Sequence, residues 1–253
     1  MDLGLTGARV VVTGASRGIG RAIAQTFAAE GADLALCARG GEALDRTAEE
    51  LRSGGAKVVA ERVDVAADDD LDRFIDRAAA ELGGIDVLVS NVSAGSSTPP
   101  DQWERNVAVD LIPFVRMTDR AEEHLAASER GGAVVLVSTT SALHTGPPSG
   151  AKAYGAVKAA LNHYAAALAR TLPPKGIRVN TVSPGPIEFA GGGWAKRREQ
   201  EPEFYAAVRD QIPMGRLGGP EEVARAAVFL ASPAASFISG ANLVVDGGFL
   251  DRV

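Results

Sequence analysis

The sequence has little of several features that particular classes of protein require. It holds one cysteine, Cys37, among 253 residues, which excludes a disulfide framework within the chain. At the end of an apolar run, this thiol is expected to be a small buried residue. No stretch of about 18 consecutive apolar residues is present, and the start, MDLGLTGARVVV, lacks the basic and long apolar regions of a signal peptide. We therefore expect a soluble, intracellular (cytoplasmic) protein with no membrane partner.

The chain also lacks an excess of positive charge, since 26 lysine and arginine residues stand against 32 aspartate and glutamate residues. The formal net charge is -6, and the only dense basic run covers residues 196–198. Surfaces that bind nucleic acid are usually basic overall or carry a basic stripe, so no nucleic-acid partner is expected. His124, His144 and His163 show no metal-ligand spacing with one another or with Cys37, so no metal site is expected either. We expect the histidines at the surface or at a rim, with His144 the one that approaches a pocket.

Short β-branched runs alternate with longer segments that carry apolar residues at three- to four-residue spacing. The predicted strands cover 9–13, 33–37, 57–62, 86–90, 133–138, 178–183 and 242–246. The predicted helices cover roughly 19–30, 42–53, 68–82, 99–127, 153–172 and 220–231. This alternation is typical of βαβ units, and strands that are apolar throughout fit a sheet covered on both faces. The sequence predicts one α/β domain over residues 1–253, a doubly wound parallel sheet of about seven strands.

One segment, residues 184–220, breaks the alternation between the sixth strand and the last helix. It contains consecutive glycines at 191–193 and the aromatic residues Phe189, Trp194, Phe204 and Tyr205. Loops of this length in compact domains tend to be functional or disordered. We predict a partly helical insertion at about 186–215 that forms a hinged cover with an apolar underside.

The stretch TGASRGIG, residues 13–20, lies between the first strand and the first helix. Its glycines, Gly14, Gly18 and Gly20, have the spacing G-x-x-x-G-x-G. A glycine turn lets the backbone approach a ligand, and the helix that follows presents unpaired N–H groups and a positive dipole end. The pattern indicates a site for a dinucleotide pyrophosphate; the alternative is a turn needed only for tight strand–helix packing.

The charge near the second strand indicates which dinucleotide is bound. Sites for NAD usually place a carboxylate at the end of this strand, whereas NADP requires a cation there. Here Arg39 follows the strand, and Arg17 lies within the glycine loop. We predict that NADP(H) is preferred and that NAD(H) remains possible, unless both arginines are solvated surface charges. Asp64 and Val65 are expected at the adenine edge, and Asn91 is expected to steady the adjacent turn.

The segment YGAVK places Tyr154 and Lys158 four residues apart on one helical face. A free tyrosine has a pKa of about 10, too high for efficient acid/base chemistry near neutrality, and a neighbouring cation favours the phenolate. This arrangement predicts a tyrosine that exchanges a proton with a carbonyl oxygen. The alternative is a helix with an aromatic core residue and an exposed lysine, since the pattern is common by chance.

Several segments together resemble the short-chain dehydrogenase/reductase family, in order and across almost the whole chain. They are TGASRGIG, DVLVSN, YGAVK, RVNTVSPGPI and LVVDGG. The resemblance implies a Rossmann-type fold, a nicotinamide cofactor, carbonyl/alcohol interconversion and a homotetramer or dimer. It implies that Tyr154 is the catalytic acid/base and that Lys158 binds the nicotinamide ribose. The implied cofactor-binding residues are otherwise Gly14, Ser16, Arg17, Gly18, Ile19, Gly20, Pro184, Gly185 and Ile187.

The sequence departs from the family pattern at several positions. Asp110 stands where the family has an asparagine that organises a proton-relay water, so it either replaces or weakens that relay. The hydroxyl that contacts the substrate carbonyl is Ser141 by its distance from the tyrosine and Thr139 by its distance from the fifth strand. A longer loop at 144–153 would explain the mismatch, and we slightly favour Thr139. Phe189 replaces a threonine that can contact the cofactor.

The leading hypothesis is a reductase or dehydrogenase that uses NADP(H) and acts on a mostly apolar carbonyl or secondary alcohol, in the manner of a ketone or 3-oxoacyl reductase. One alternative is a cofactor-binding sensor or scaffold with little redox activity. Another is dehalogenation or dehydration at the same site, which the retained Tyr154 and Lys158 disfavour. The apolar stripe on helix 153–172 and the C-terminal run NLVVDGGFL indicate either partner chains or intrachain core.

Overall fold

A parallel sheet of seven strands forms the centre of the protein in the computed structural model, which describes residues 2–67, 69–148 and 152–251. The strands are β1 (Arg9–Thr13), β2 (Asp33–Ala38), β3 (Val58–Arg62), β4 (Val87–Ser90), β5 (Gly132–Val137), β6 (Ile177–Pro184) and β7 (Asn242–Val245). Their order across the sheet is β3-β2-β1-β4-β5-β6-β7. All seven predicted strands are present with bounds within one residue of those predicted, and the predicted fold class is confirmed.

Helices cover both faces of this sheet. They are α1 (Gly18–Ala29), α2 (Gly41–Ser53), α3 (Asp70–Leu82), α4 (Gln102–Asn106), α5 (Ile112–Ala126), α6 (Ala153–Thr171), α7 (Gly193–Gln200), α8 (Pro202–Arg209) and α9 (Pro220–Ala231). One buried apolar cluster joins the sheet to α1, α2 and α9, and a second joins it to α3, α5 and α6. Within the described ranges, no helix combines the length and the apolar character needed to cross a membrane.

The helix predicted at 99–127 is in fact interrupted. The structure has α4, then a π-helical turn at Val107–Leu111, then α5. In this turn the N–H of Ile112 donates to the carbonyl of Val107, five residues back. Pro113, near the start of α5, has no N–H to continue the regular ladder, and π-turns accommodate such breaks. The third predicted helix begins at Asp70 rather than 68, and residue 68 lies outside the described residues.

Residues between β6 and α9 form the two short helices α7 and α8. The rings of Trp194 and Phe204 lie parallel, with centroids 6.1 Å apart. The hydroxyl of Tyr205 donates to Glu188 over 2.5 Å, and Arg198 forms an ion pair with the same carboxylate at 2.6 Å. Stacking and charge therefore tie both helices to the chain that leaves β6.

Cys37 lies in β2 and has no exposed surface. Burial in this apolar layer raises the pKa of its thiol to about 12, because a thiolate there would lose its hydration. The prediction of a small buried residue is confirmed.

A buried carboxylate connects the amino-terminal ends of β1 and β4. Asp86 accepts hydrogen bonds from the backbone N–H of Arg9 at 2.8 Å, from the guanidinium Nε of Arg9 at 2.9 Å and from the hydroxyl of Ser128 at 2.6 Å. Burial alone would raise the pKa of Asp86, but the hydrogen bonds from Arg9 and Ser128 outweigh it and hold the pKa below its usual value. The charged form therefore stabilises the fold.

We expect Asp86→Asn to lower the free energy of unfolding at pH 7 by about 1–3 kcal/mol, because hydrogen bonds to a buried charge are lost. The folded-state pKa is depressed, so this stability is present above the unfolded pKa of about 3.9 and is lost as the pH falls through the folded value. Urea unfolding at pH 7 and pH 3 should show the gap to wild type closing in acid. Asp33→Asn, at the start of β2, serves as the control; an equal gap at both pH values would contradict the prediction.

Candidate active site

Two adjoining cavities open at the carboxyl ends of the strands, the edge where ligands bind in doubly wound sheets. The first, here called the tyrosine cavity, has a volume of about 220 Å³. It is lined by Ile19, Ser96, Ser138, Thr139, Thr140, Ser141, Pro148, Tyr154, Pro184, Gly185, Pro186, Ile187, Phe189, Trp194, Arg197 and Phe249. The second, here called the glycine-loop cavity, has a volume of about 500 Å³. It is lined by Gly14, Ser16, Arg17, Ile19, Gly20, Ala38, Arg39, Gly40, Ala43, Val63, Val65, Asn91, Val92, Ser93 and Phe189.

The glycine loop has a backbone conformation that residues with side chains cannot readily adopt. Gly14 and Gly18 have φ values of +68° and +53°, in the left-handed region. A Cβ on Gly20 would lie 2.2 Å from the carbonyl oxygen of Gly14, so the loop and the first turn of α1 pack backbone to backbone. This first turn has no acidic residue and no side-chain cap, which leaves its N–H groups available to an anion.

Asn91 ties the end of β4 to the same loop. Its backbone N–H donates to the hydroxyl of Thr13 at 3.1 Å, and its side-chain amide donates to the carbonyls of Thr13 at 3.1 Å and Gly14 at 3.2 Å. The side chain thus lies beside the glycine turn, as its position after the fourth strand led us to expect.

Arg17 and Arg39, the two arginines predicted to bind the cofactor, border the glycine-loop cavity. None of the described residues that line this cavity is acidic. Sequence reasoning missed Arg62, whose Nε donates to the carbonyl of Arg39 at 3.0 Å and brings a third guanidinium to this edge. Val65 lines the cavity, but the carboxylate of Asp64 is exposed and accepts the N–H of Ala66 at 3.1 Å. The charge at this end of the site is therefore positive.

Hydroxyl groups surround Tyr154 in the tyrosine cavity. The hydroxyl oxygen of Thr139 accepts the N–H of Ser141 at 3.2 Å, which leaves the O–H of Thr139 free to donate elsewhere. Ser138, which sequence reasoning missed, has a buried hydroxyl without a hydrogen-bond partner among the described residues. Both candidate donors, Thr139 and Ser141, border the cavity. Residues 149–151 of the predicted longer loop lie outside the described residues.

Lys158 is paired with Asp110 beneath the tyrosine cavity. Its Nζ lies 3.0 Å from Oδ1 of Asp110, and the two side chains are 3% and 0% exposed. The lysine also donates to the carbonyl of Val137 at 3.3 Å. The other oxygen of Asp110 accepts the N–H of Ala94 at 3.1 Å and the amide of Asn106 at 3.0 Å. No other described residue donates a hydrogen bond to Oδ1, so the ammonium of Lys158 is what compensates the charge on this oxygen.

Sequence reasoning placed Tyr154 and Lys158 on one helical face but missed this ion pair. Lys158 lines neither cavity in the described part of the chain. The pairing depends on the π-helical turn that carries Asp110, and no periodicity in the sequence indicates that turn.

The chain after β6 supplies the outer wall of the tyrosine cavity. The ring of Phe189 packs over Gly18, where an added Cβ would lie 2.6 Å from it, and the ring borders both cavities. Arg197 and Phe249 complete the wall and were missed, because one lies in a short basic run and the other follows the last strand. His144 contacts the ring of Phe249, with centroids 5.5 Å apart, and burial lowers the pKa of this histidine.

Comparisons with known proteins cover nearly the whole chain. A family described as enoyl-(acyl carrier protein) reductase matches residues 14–250. Isoepoxydon dehydrogenase of Penicillium expansum is 40% identical over 253 residues, covering 98% of this chain and 96% of that protein. A solved 7α-hydroxysteroid dehydrogenase in complex with NADH and 7-oxo glycochenodeoxycholic acid superposes with a TM-score of 0.89, at 30% identity and with 98% and 96% of the two chains covered. L-sorbose reductase of Gluconobacter frateurii in complex with NADPH and L-sorbose gives a TM-score of 0.91, at 30% identity over the full length of both chains.

The buried ion pair predicts the effect of removing one charge. Breaking such a pair from one side costs about 3–5 kcal/mol, so we expect Asp110→Asn to lower the free energy of unfolding by about that amount in urea at pH 7. Adding Lys158→Met removes the second charge and should restore most of the loss, since uncharged groups replace a buried pair at little cost. Equal destabilisation by the single and double variants would show that the two charges do not stabilise each other.

Proposed function

The chain belongs to the short-chain dehydrogenase/reductase family, and we propose that it is an NADP(H)-dependent enzyme. It interconverts a carbonyl compound and the corresponding secondary alcohol. The relatives named above are dehydrogenases and reductases that act on CH–OH groups. One observation carries the proposal: a cavity containing Tyr154 and two candidate hydroxyl donors adjoins a glycine-lined cavity with two arginines.

The glycine-loop cavity fits a dinucleotide. A side chain at Gly20 would collide with the carbonyl oxygen of Gly14, so glycine at this position lets the N–H groups of the first helical turn approach a pyrophosphate closely. Asn91 stabilises this turn, while Pro184, Gly185 and Ile187 lie on the tyrosine side. Since Phe189 borders both cavities, a molecule that spans them passes this ring.

The arginines favour a phosphate on the ribose. Arg17 and Arg39 border the cavity at the end of β2, without a lining carboxylate to accept a 2′-OH. A guanidinium pairs with a phosphate through charge-assisted hydrogen bonds. We therefore propose a preference for NADP(H) over NAD(H). The relatives do not decide this point, since one solved structure holds NADH and another holds NADPH.

In the proposed mechanism a bound nicotinamide would supply or accept the hydride, and side chains of the protein donate or accept the proton. The phenol of Tyr154 donates its proton to the carbonyl oxygen during reduction and removes it during oxidation. The free O–H of Thr139, or that of Ser141, donates a hydrogen bond to the same oxygen as negative charge develops. The ammonium of Lys158 lies beneath the tyrosine cavity, and the carboxylate of Asp110 offsets its charge. The ion pair therefore adds no net charge to the floor of the cavity.

The cover favours a mostly apolar substrate. Phe189, Trp194 and Phe249 border the tyrosine cavity, and these rings would pack against the apolar part of a bound substrate and shield its carbonyl from water. A sensor or scaffold role would not require a tyrosine and free hydroxyl donors around one small cavity, which is why we favour the enzyme.

We also propose a cytoplasmic homo-oligomer, either a dimer or a tetramer. Part of the helical stripe named in the sequence does not support it, because Val157 and Leu161 are buried within their own chain. Support comes from exposed large apolar residues outside this stripe, among them Trp103, Ile112, Met214, Phe237 and Leu243. Sedimentation of the purified protein would measure the assembly.

Arg39→Asp tests the cofactor assignment. The new carboxylate repels a 2′-phosphate and accepts a hydrogen bond from a 2′-OH, so we expect the ratio of the two dissociation constants to move toward NADH by at least about tenfold, about 1.4 kcal/mol. Fluorescence titration with NADPH and NADH measures both constants. Arg46→Asp, on an exposed position of α2, makes the same charge change outside the cavity. An unchanged preference for NADPH in Arg39→Asp would refute the assignment.

Separate alanine substitutions identify the hydrogen-bond donor to the carbonyl. We expect Thr139→Ala to lower kcat by about 100-fold or more, as for loss of an oxyanion donor, and Ser141→Ala to have a smaller effect. Tyr154→Phe should abolish turnover while leaving NADPH binding intact. Turnover is followed by NADPH absorbance with a panel of cyclic and linear ketones. A Tyr154→Phe protein as active as wild type would overturn the acid/base role, and the reverse ranking of the hydroxyl variants would assign the donor to Ser141.

A further inference from the structure

One charged side chain, Arg197 of α7, borders the tyrosine cavity. Among the described residues that line this cavity, no other carries a formal charge and none is acidic. The nearest catalytic cation, Lys158, is covered and neutralised by Asp110 at 3.0 Å. The guanidinium of Arg197 therefore supplies the uncompensated charge at this wall.

Aromatic rings hold this guanidinium in place. Its Cζ lies 5.0 Å from the ring centroid of Trp194 and 5.2 Å from that of Phe204, and these two rings are parallel. Cation–π contact restrains the group through its face and consumes none of its N–H donors. Side-chain hydrogen bonds or ion pairs between Arg197 and other described residues are absent, so the donors remain available.

The neighbouring cations behave differently, which sets Arg197 apart from ordinary surface charge. Arg198, the next residue of α7, is tied to Glu188 at 2.6 Å. Lys196, on the other side, is exposed and lines neither cavity. Of these three consecutive basic residues, only Arg197 combines a position in the cavity wall, an aromatic support and unused donors.

We propose that the substrate of this site is a compact carbonyl compound with an apolar body and a single carboxylate, which Arg197 binds. The planar fork of a guanidinium matches a carboxylate through two parallel hydrogen bonds. A single cation without a second basic group in the wall suits one negative charge better than a phosphate dianion. The volume of about 220 Å³ lies below the range of drug-sized ligands and favours a small molecule. This inference rests on the proposed function and adds the substrate class.

The test compares two ligands of similar size and shape, the anion 4-oxocyclohexanecarboxylate and its neutral amide, 4-oxocyclohexanecarboxamide. Binding is measured by calorimetry on the full chain saturated with oxidised cofactor, which cannot reduce a ketone. We expect wild type to bind the carboxylate at least about tenfold more tightly than the amide, since hydrogen bonds to charged groups are the stronger ones. Arg197→Met should equalise the two affinities, and Arg197→Lys, which keeps the charge without the fork, should retain part of the preference.

Lys196→Met is the matched control, because it removes a neighbouring positive charge of α7 that does not face the cavity; it should keep the full preference. Thermal unfolding establishes that each variant is folded. A carboxylate that binds no better than the amide, or not at all, overturns the proposal, as does a preference that survives Arg197→Met. Turnover of either ketone with reduced cofactor is measured separately. Failure of turnover with the binding pattern intact counts against the proposed redox function and leaves the assignment of Arg197 standing.

Discussion

The close approach of three backbone segments at the carboxyl end of β1 is the constraint on which the rest of the site depends. The glycine turn, the first turn of α1 and the end of β4 meet there, and the contact of Gly20 with the carbonyl of Gly14 leaves no space for a side chain. Asn91 closes the arrangement with its hydrogen bonds to Thr13 and Gly14. Because β1 and β4 are neighbours at the centre of the sheet, this junction places the glycine-loop cavity beside the tyrosine cavity.

The buried pair of Asp110 and Lys158 gives the tyrosine cavity its electrostatic character. An unpaired ammonium would be costly in that buried position, and the carboxylate compensates it at close range. The π-helical turn between α4 and α5 carries Asp110 and keeps it buried. A local irregularity of one helix thus decides that the base of the site carries no net charge.

Because the ion pair beneath the tyrosine cavity has no net charge, the outer wall of the cavity determines which groups a substrate can carry. The cover formed by α7 and α8 brings aromatic rings and one supported guanidinium to the same cavity. The same wall therefore offers aromatic surface to an apolar group and the guanidinium to the carboxylate that we propose it binds. This arrangement also explains why the basic run at 196–198 is not uniform surface charge: its middle residue faces inward, while its neighbours do not.

The sequence by itself determined the strands, the sheet class and the location of the glycine turn. The strands and the sheet follow from local apolar periodicity, and the turn follows from glycines at positions where the backbone must be left-handed or closely packed. The sequence also determined the tyrosine–lysine spacing, since four residues in a helix define a face. Only the tertiary structure decided that Asp110 pairs with Lys158, that Phe189 packs over Gly18 and that Arg197 and Phe249 join Tyr154. These contacts join residues 43 to 171 positions apart in the sequence, and they depend on a π-turn and on loop paths that no sequence period encodes.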